Sequence, residues 1–260
     1  MKKILIALFI IHIGLNAENI YQYESGDLVA IPALQENQQG TYIRFDGKLK
    51  KIKGLPFVVE NKIVNDQDLL QPIEILFVNF GESRIFIEDE SKVFLNESDQ
   101  KRAAQEAKLI QASLKESDTS LSPSFKFIRP VTGAITSPYG KQRYINGQRR
   151  SVHLALDMDG ATGDPIIAPL KGKVVLTGDF FYTGNTVILD HGGNLFTSYA
   201  HMSAIEVKEG EIVQQADLIG RIGETGRVTG PHLHWSVYFE GNRINPEKII
   251  EENYFLSLFQ

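Results

Sequence analysis

The chain has 260 residues, 42% hydrophobic and 23% charged, with a formal net charge of −5 and no cysteine. That length suits one large or two small globular domains. The lack of cysteine excludes disulfides, thiolate metal sites and cysteine nucleophiles, and the acidic balance argues against a nucleic-acid binder, which would show a basic face.

Lys2 and Lys3 precede an apolar run at 4–15, interrupted only by His12 and Gly14. The run is shorter than the roughly 20 residues that span a bilayer and has the layout of a secretory signal. Residues 1–17 are therefore expected to be a signal peptide ending at Ala17, which sends the chain to the periplasm or cell envelope. An exported chain without cysteine fits a bacterial envelope better than a eukaryotic secreted setting.

Short segments rich in β-branched and aromatic residues follow at 28–31, 41–45, 57–60, 73–78 and 84–88, separated by Gly, Asn and Asp turn signals. They predict a small N-terminal β-domain over 18–95. Residues 18–124 contain 12 basic and 18 acidic residues, so the acidity sits in this half. Ala103, Ala107, Ile110 and Leu114 then recur at helical spacing, with Asn96 or Ser98 placed to cap the start. This predicts a connecting helix. A polar, proline-containing stretch at 116–124 reads as a linker, so that 96–124 joins the two halves.

Strand signals return at 173–177, 186–190, 195–199 and 233–238, and Asp190-His-Gly-Gly-Asn194 reads as a hairpin turn. Residues 125–260 are thus predicted to be mostly antiparallel sheet, and the fold class to be mainly β.

The chemistry lies in the histidines of this second half. His232 and His234 are two apart, so a strand projects both from one face. His153 and Asp157 are four apart, about 13 Å in a straight strand, too far to share an ion with bonds of about 2 Å. The chain must bend between them, and the small Ala155 leaves room for that. Two histidines and a carboxylate would leave the fourth position of a zinc ion open for water, as catalytic sites require. His201, in Ser198-Tyr-Ala-His-Met202, could move a proton or stabilise an oxyanion. His191 reads as a turn residue. Asp157 and Asp159 form a carboxylate pair, but only Asp157 has the right spacing from His153. Tyr139, Arg143 and Tyr144 precede the site, with no basis for choosing among them.

His153-Leu-Ala-Leu-Asp157, Tyr199-Ala-His201 and Gly230-Pro-His-Leu-His234 resemble the three metal-site motifs of the lysostaphin/LytM-type zinc endopeptidases. The spacers Gly163-Asp-Pro-Ile-Ile-Ala168, Gly184-Asn-Thr-Val187 and Gly223-Glu-Thr-Gly-Arg227 agree too, and the likeness covers about residues 127–248. The departure is Ala155, where the family usually has glycine. The resemblance implies an antiparallel-sheet lysostaphin-like catalytic domain over 125–260, preceded by the accessory β-domain and helix. It implies one Zn2+ per chain on His153, Asp157 and His234, with His201 and His232 as catalytic residues. The implied activity is cleavage of D-Ala–diaminopimelate stem-peptide cross-links in peptidoglycan, as endopeptidase or carboxypeptidase, in wall remodelling or cell shape. The alternative is a non-enzymatic regulator of other wall hydrolases, as in degenerate family members. Val207-Lys-Glu-Gly-Glu-Ile-Val213 also resembles a biotin- or lipoyl-carrier hairpin, with Lys208 in strand-like sequence. The acidic N-terminal half is expected either to cover the groove as an intramolecular inhibitor or to position the enzyme. The sequence leaves the oligomeric state open.

Overall fold

A computed structural model describes residues 20–36, 40–88, 93–251 and 254. The expected signal peptide lies outside these residues. The N-terminal half contains β1 (Tyr21–Glu24), β2 (Leu28–Pro32), β3 (Thr41–Phe45), β4 (Lys48–Gly54), β5 (Lys62–Val64), β6 (Ile73–Leu76), β7 (Glu82–Ile85) and helix α1 (Glu97–Ser113). The C-terminal half contains β8 (Ile135–Ser137), β9 (Gln142–Ile145), β10 (Gln148–Val152), β11 (Leu156–Asp159), β12 (Pro165–Ile167), β13 (Gly172–Phe180) and β14 (Gly184–Asp190). It continues with β15 (Leu195–Met202), β16 (Ala204–Ile205), β17 (Ile212–Val213), β18 (Leu218–Arg221), β19 (His232–Phe239), β20 (Asn242–Ile244) and α2 (Pro246–Ile249). The fold is mainly β, as the sequence predicts.

The central sheet runs β17-β13-β14-β15-β19-β11-β8, with β20 paired to β19, and its pairings are antiparallel. The period of two sorts β19 cleanly. Leu233, Trp235, Val237 and Phe239 enter the core, at most 1% exposed. His232 and His234 share the opposite face.

Two departures from the sequence expectation have physical causes. Residues 57–60 form no strand: the Val58 N–H donates to Ser25 Oγ at 2.8 Å instead of to a ladder. In the N-terminal half, strands β1, β4 and β5 lie outside the predicted segments, and of these β4 is the central strand of β2-β4-β3. Its lysines disguise it, because Lys51 and Lys53 find their partners, Asp66 and Asp68, only in the folded chain. The helix starts at the expected cap, with Asn96 Oδ1 accepting from the Asp99 N–H at 2.9 Å. It buries only Ala103. Polar bonds hold it instead: Glu106 Oε2 accepts from the Phe181 N–H at 2.7 Å, and Arg102 Nη2 donates to Asp179 O at 3.2 Å.

The two halves share a core. Leu28, Ala30 and Ile52 pack in the same apolar cluster as Trp235, Phe239 and Ile244. Phe57 and Phe80 both pack edge-on against Tyr139, at 6.3 and 5.6 Å. Strand β7 pairs in parallel with β9, so an N-terminal strand completes the sheet β10-β9-β7. The stretch 116–124 is docked rather than loose: Ser117 Oγ donates to Asp190 at 2.7 Å, and Lys173 Nζ meets Asp118 at 3.1 Å.

His191 sits in the expected hairpin turn, but its ring is buried. Its Nδ1–H donates to Lys171 O at 2.8 Å, and Nε2 accepts from the Thr197 hydroxyl at 2.7 Å. Burial lowers its pKa to about 4. In the unfolded chain it titrates near 6.5, so the unfolded state binds the extra proton as pH falls from 6.5 through 4. Stability is then lost across that window, by at most about 3 kcal/mol from this residue. Urea unfolding of wild type and His191→Gln at pH 7.5, 5.5 and 4 should show a shallower fall in the variant.

Candidate metal centre

Three strand ends bring the donors together. Strand β11 pairs with β19 so that Asp157 lies opposite His234. The bend between β10 and β11 carries His153 back toward Asp157, with Ala155 wholly buried inside it. Asp157 Oδ1 lies 2.6 Å from His234 Nδ1 and 3.1 Å from His153 Nε2, and the two ring nitrogens are 3.3 Å apart. Donors on a tetrahedral ion with bonds of about 2.0–2.1 Å stand about 3.3 Å apart. His153 Nδ1 spends its proton on Pro138 O at 3.1 Å, so Nε2 faces the carboxylate as a bare lone pair.

The electrostatics point the same way. Burial lowers His234 to a pKa of about 4. Burial pushes the Asp157 carboxyl up, but His234 and His153 outweigh it and hold the group far below the carboxylate range. The neutral His234 imidazole, the Nε2 of His153 and a carboxylate therefore converge on one point, an arrangement that calls for a cation. Two nitrogens and one oxygen with an open fourth position suit zinc.

Two further histidines flank the centre. The His201 ring centroid lies 5.0 Å from that of His232 and 5.7 Å from that of His234. His201 Nδ1–H donates to Thr225 O at 2.8 Å, and His232 Nδ1–H to Gly230 O at 2.9 Å. Each bond occupies Nδ1, and His232 Nε2 stands 3.8 Å from Asp157 Oδ1. Burial, then the neighbouring histidines, lowers His201 to about 3.

His201 reaches this face through a bulge. Val187 pairs with Tyr199 and Asn185 with Met202, so β15 carries one residue more than β14 over this stretch. Ala200 takes the place opposite His234, and His201 adopts φ +64°. The sequence reading set His201 after a strand; it lies within β15 at this irregularity. Gly184 and Gly226 press together to bring the Thr225 carbonyl near. A Cβ on Gly184 would lie 2.4 Å from the Thr225 carbonyl carbon.

Residues 151–246 match the profile of peptidase family M23, a span that contains all five of these side chains. This segment belongs to family M23. Similar curated proteins include the Vibrio cholerae peptidoglycan DD-endopeptidase ShyA, 40% identical over 101 residues, 39% of this chain and 24% of ShyA. ShyC of the same species, also named a peptidoglycan DD-endopeptidase, is 29% identical over 192 residues, 74% of this chain and 40% of ShyC. The Neisseria meningitidis DD-carboxypeptidase/endopeptidase Mpg is 34% identical over 115 residues, 44% of this chain and 26% of Mpg. The chain thus spans between a quarter and two fifths of these relatives. A solved Pseudomonas aeruginosa structure, named as a candidate M23 peptidase, superposes with a TM-score of 0.68 at 26% identity. It covers 87% of this chain and 94% of its own, so the fold likeness extends into the N-terminal half.

The M23 segment opens onto a groove of about 510 Å3 that holds His153, Asp157, His201, His232 and His234. Ile85 and Ile87 supply part of its wall from the N-terminal half, and among the described residues no carboxylate of that half lines it. Asp89 and Glu90 lie outside the described residues. Asp159 and His191 do not line the groove. Lys208 is exposed in a loop before β17 rather than within a strand.

Of the three residues left open by the sequence, Arg143 is the one at the centre. Its Nη2 donates to Asp157 Oδ2 at 2.9 Å, so Asp157 offers only Oδ1 to the ion. Tyr139 is core, with its hydroxyl donating to Arg243 O at 3.0 Å. The Tyr144 ring lies under Arg84, 4.6 Å away. The missed signal was Asn146-Gly147, a two-residue hairpin turn. It pairs β9 with β10 and places Arg143 beside the strand leading to His153. Partners that orient a ligand typically contribute 10- to 100-fold to metal affinity. Arg143→Gln should lose zinc affinity by about that factor, read by competition with a chromogenic chelator.

Proposed function

We propose that the chain is an exported zinc-dependent peptidoglycan hydrolase that cuts D-Ala–diaminopimelate stem-peptide cross-links. The observation that carries this reading is the convergence of three lone pairs from His153, Asp157 and His234, flanked by two histidines whose other nitrogens are already bonded. The M23 relatives, DD-endopeptidases among them, support the bond class. The secretory layout of residues 1–17 supports action in the periplasm or cell envelope; among the described residues no helix is long and apolar enough to cross a membrane.

One zinc ion, held by His153, Asp157 and His234, would polarise the scissile carbonyl and acidify the attacking water. His201, kept neutral by burial, accepts the proton of that water at Nε2. His232 Nε2 relays that proton to the leaving amine, so the one taken from water balances the one delivered, and its bond to Gly230 O fixes the ring for that transfer. Arg143 keeps Asp157 turned, with Oδ2 held and Oδ1 facing the ring nitrogens. The N-terminal half contributes groove wall through β7 and steadies β9, the strand that carries Arg143. A non-enzymatic regulator would not require this full set, and nothing in the site favours that reading.

The test is metal removal. Purified protein stripped with 1,10-phenanthroline should stop releasing peptide fragments from sacculi and recover on addition of one equivalent of Zn2+. Undiminished release from protein shown to be metal-free would sink the proposal.

A further inference from the structure

Helix α1 lies outside the M23 segment, yet it is bonded to a wall of the groove. Residues 181–183 form the turn between β13 and β14, and Tyr182 and Thr183 line the groove. The helix grips this turn by its main chain. Glu106 Oε2 accepts from the Phe181 N–H at 2.7 Å, while Glu106 Oε1 accepts from Arg102 Nε at 2.6 Å. Arg102 Nη2 in turn donates to Asp179 O at 3.2 Å. The two side chains neighbour each other on one helix face, so their pairing holds both in place. The helix buries only Ala103, so apolar packing does not account for where it sits.

The turn passes this grip on to His201. Thr183 O accepts from the His201 N–H at 2.8 Å. Tyr182 O accepts from the Arg227 N–H at 3.0 Å, which anchors the segment 225–227. Within that segment, Thr225 O accepts from His201 Nδ1–H at 2.8 Å. The main chain and the ring of His201 therefore both lean on the three residues that Glu106 holds. His201 also adopts φ +64°, a left-handed conformation that a residue with a side chain keeps only where its neighbours impose it. The metal donors do not depend on this turn. Asp157 and His234 are set by the β11–β19 pairing, and His153 by the bend before β11.

We propose that Glu106 is a positioning residue for hydrolysis, which holds the 181–183 turn so that His201 Nε2 stays aimed at the attacking water. This rests on the hydrolase reading above. A carboxylate on a main-chain N–H makes a charge-assisted bond, stronger than a neutral one. A proton-transfer group displaced by a fraction of an ångström costs rate rather than metal affinity.

The test compares three substitutions in the full zinc-loaded chain. Glu106→Ala removes the acceptor. Glu106→Asp keeps the charge but draws it back by one methylene. Glu106→Gln gives up the charge but keeps an oxygen at the same reach. The alanine and aspartate variants are expected to keep their zinc and to lose about 10- to 100-fold in kcat, with a smaller change in KM. The glutamine variant should recover most of the rate. A second measurement needs no substrate. In 15N NMR of the imidazoles, the His201 Nδ1–H signal should match wild type in the glutamine variant and move or broaden in the other two. Full kcat in a folded alanine or aspartate variant would overturn the proposal. So would zinc lost in step with activity, or a glutamine variant as slow as alanine. If the alanine variant does not fold, aspartate against glutamine carries the comparison. If wild type cuts no sacculi, the hydrolase reading fails and the NMR signal decides the positioning by itself. A displaced signal upholds it, and an unchanged one rejects it.

Discussion

His234→Ala should empty the metal centre and stop hydrolysis in one step. Zinc content after dialysis is expected to fall from about one ion per chain to almost none, and activity on sacculi by about 1000-fold or more, because both the Lewis acid and the acidified water are lost. The geometry explains why one donor matters so much. His234 Nδ1 is the closest partner of Asp157 Oδ1, at 2.6 Å, and lies 3.3 Å from His153 Nε2. Without it, two donors remain, and water would have to fill half of the coordination shell. The fold should survive. The His234 side chain points to the groove, while its neighbours Leu233 and Trp235 fill the core and β19 keeps both flanking strands. The metal-free melting temperature should change little. A variant that kept stoichiometric zinc would show that His234 is not a ligand.

The flanking histidines should separate metal from activity. His201→Asn and His232→Ala are each expected to retain zinc and to lose about 100- to 10,000-fold in kcat, the usual worth of a positioned proton-transfer group. Asparagine is the better replacement at 201, because φ there is +64° and asparagine tolerates the left-handed region that alanine does not. If the two groups pass one proton in sequence, the double variant should be little worse than the weaker single one. Metal content by atomic absorption, alongside single-turnover rates, checks both points. Loss of zinc in either variant would move that residue into the ligand set.

The candidate ligands were more legible in the sequence than their surroundings. His232 and His234 could be placed on one face from their spacing, since a strand's alternation is local. The bend between His153 and Asp157 followed from distance alone. His201 was recognisable through its motif but not its position, because its direction depends on one extra residue in β15 relative to β14, a property of the pairing. Arg143 was left open for a similar reason: its role depends on the Asn146-Gly147 turn folding β9 onto β10, and on Asp157 arriving from a third strand. Strand β4 was hidden because four of its seven residues are lysines, and Lys51 and Lys53 are neutralised only by Asp66 and Asp68. The segment 116–124 has a linker's composition, yet its serine and aspartate are bonded to Asp190 and Lys173. Composition reports polarity and is silent about partners. The shared core of Leu28, Ala30 and Ile52 with Trp235 and Phe239 likewise joins residues about 200 positions apart.

Mass spectrometry of muropeptides, after digestion of diaminopimelate-type sacculi with the purified zinc-loaded chain, tests the central claim most directly. The expected result is loss of D-Ala–diaminopimelate cross-linked dimers and a matching rise in monomers, with glycan strands intact and no change for His234→Ala. An unchanged dimer fraction, or cleavage confined to glycan bonds, would contradict it.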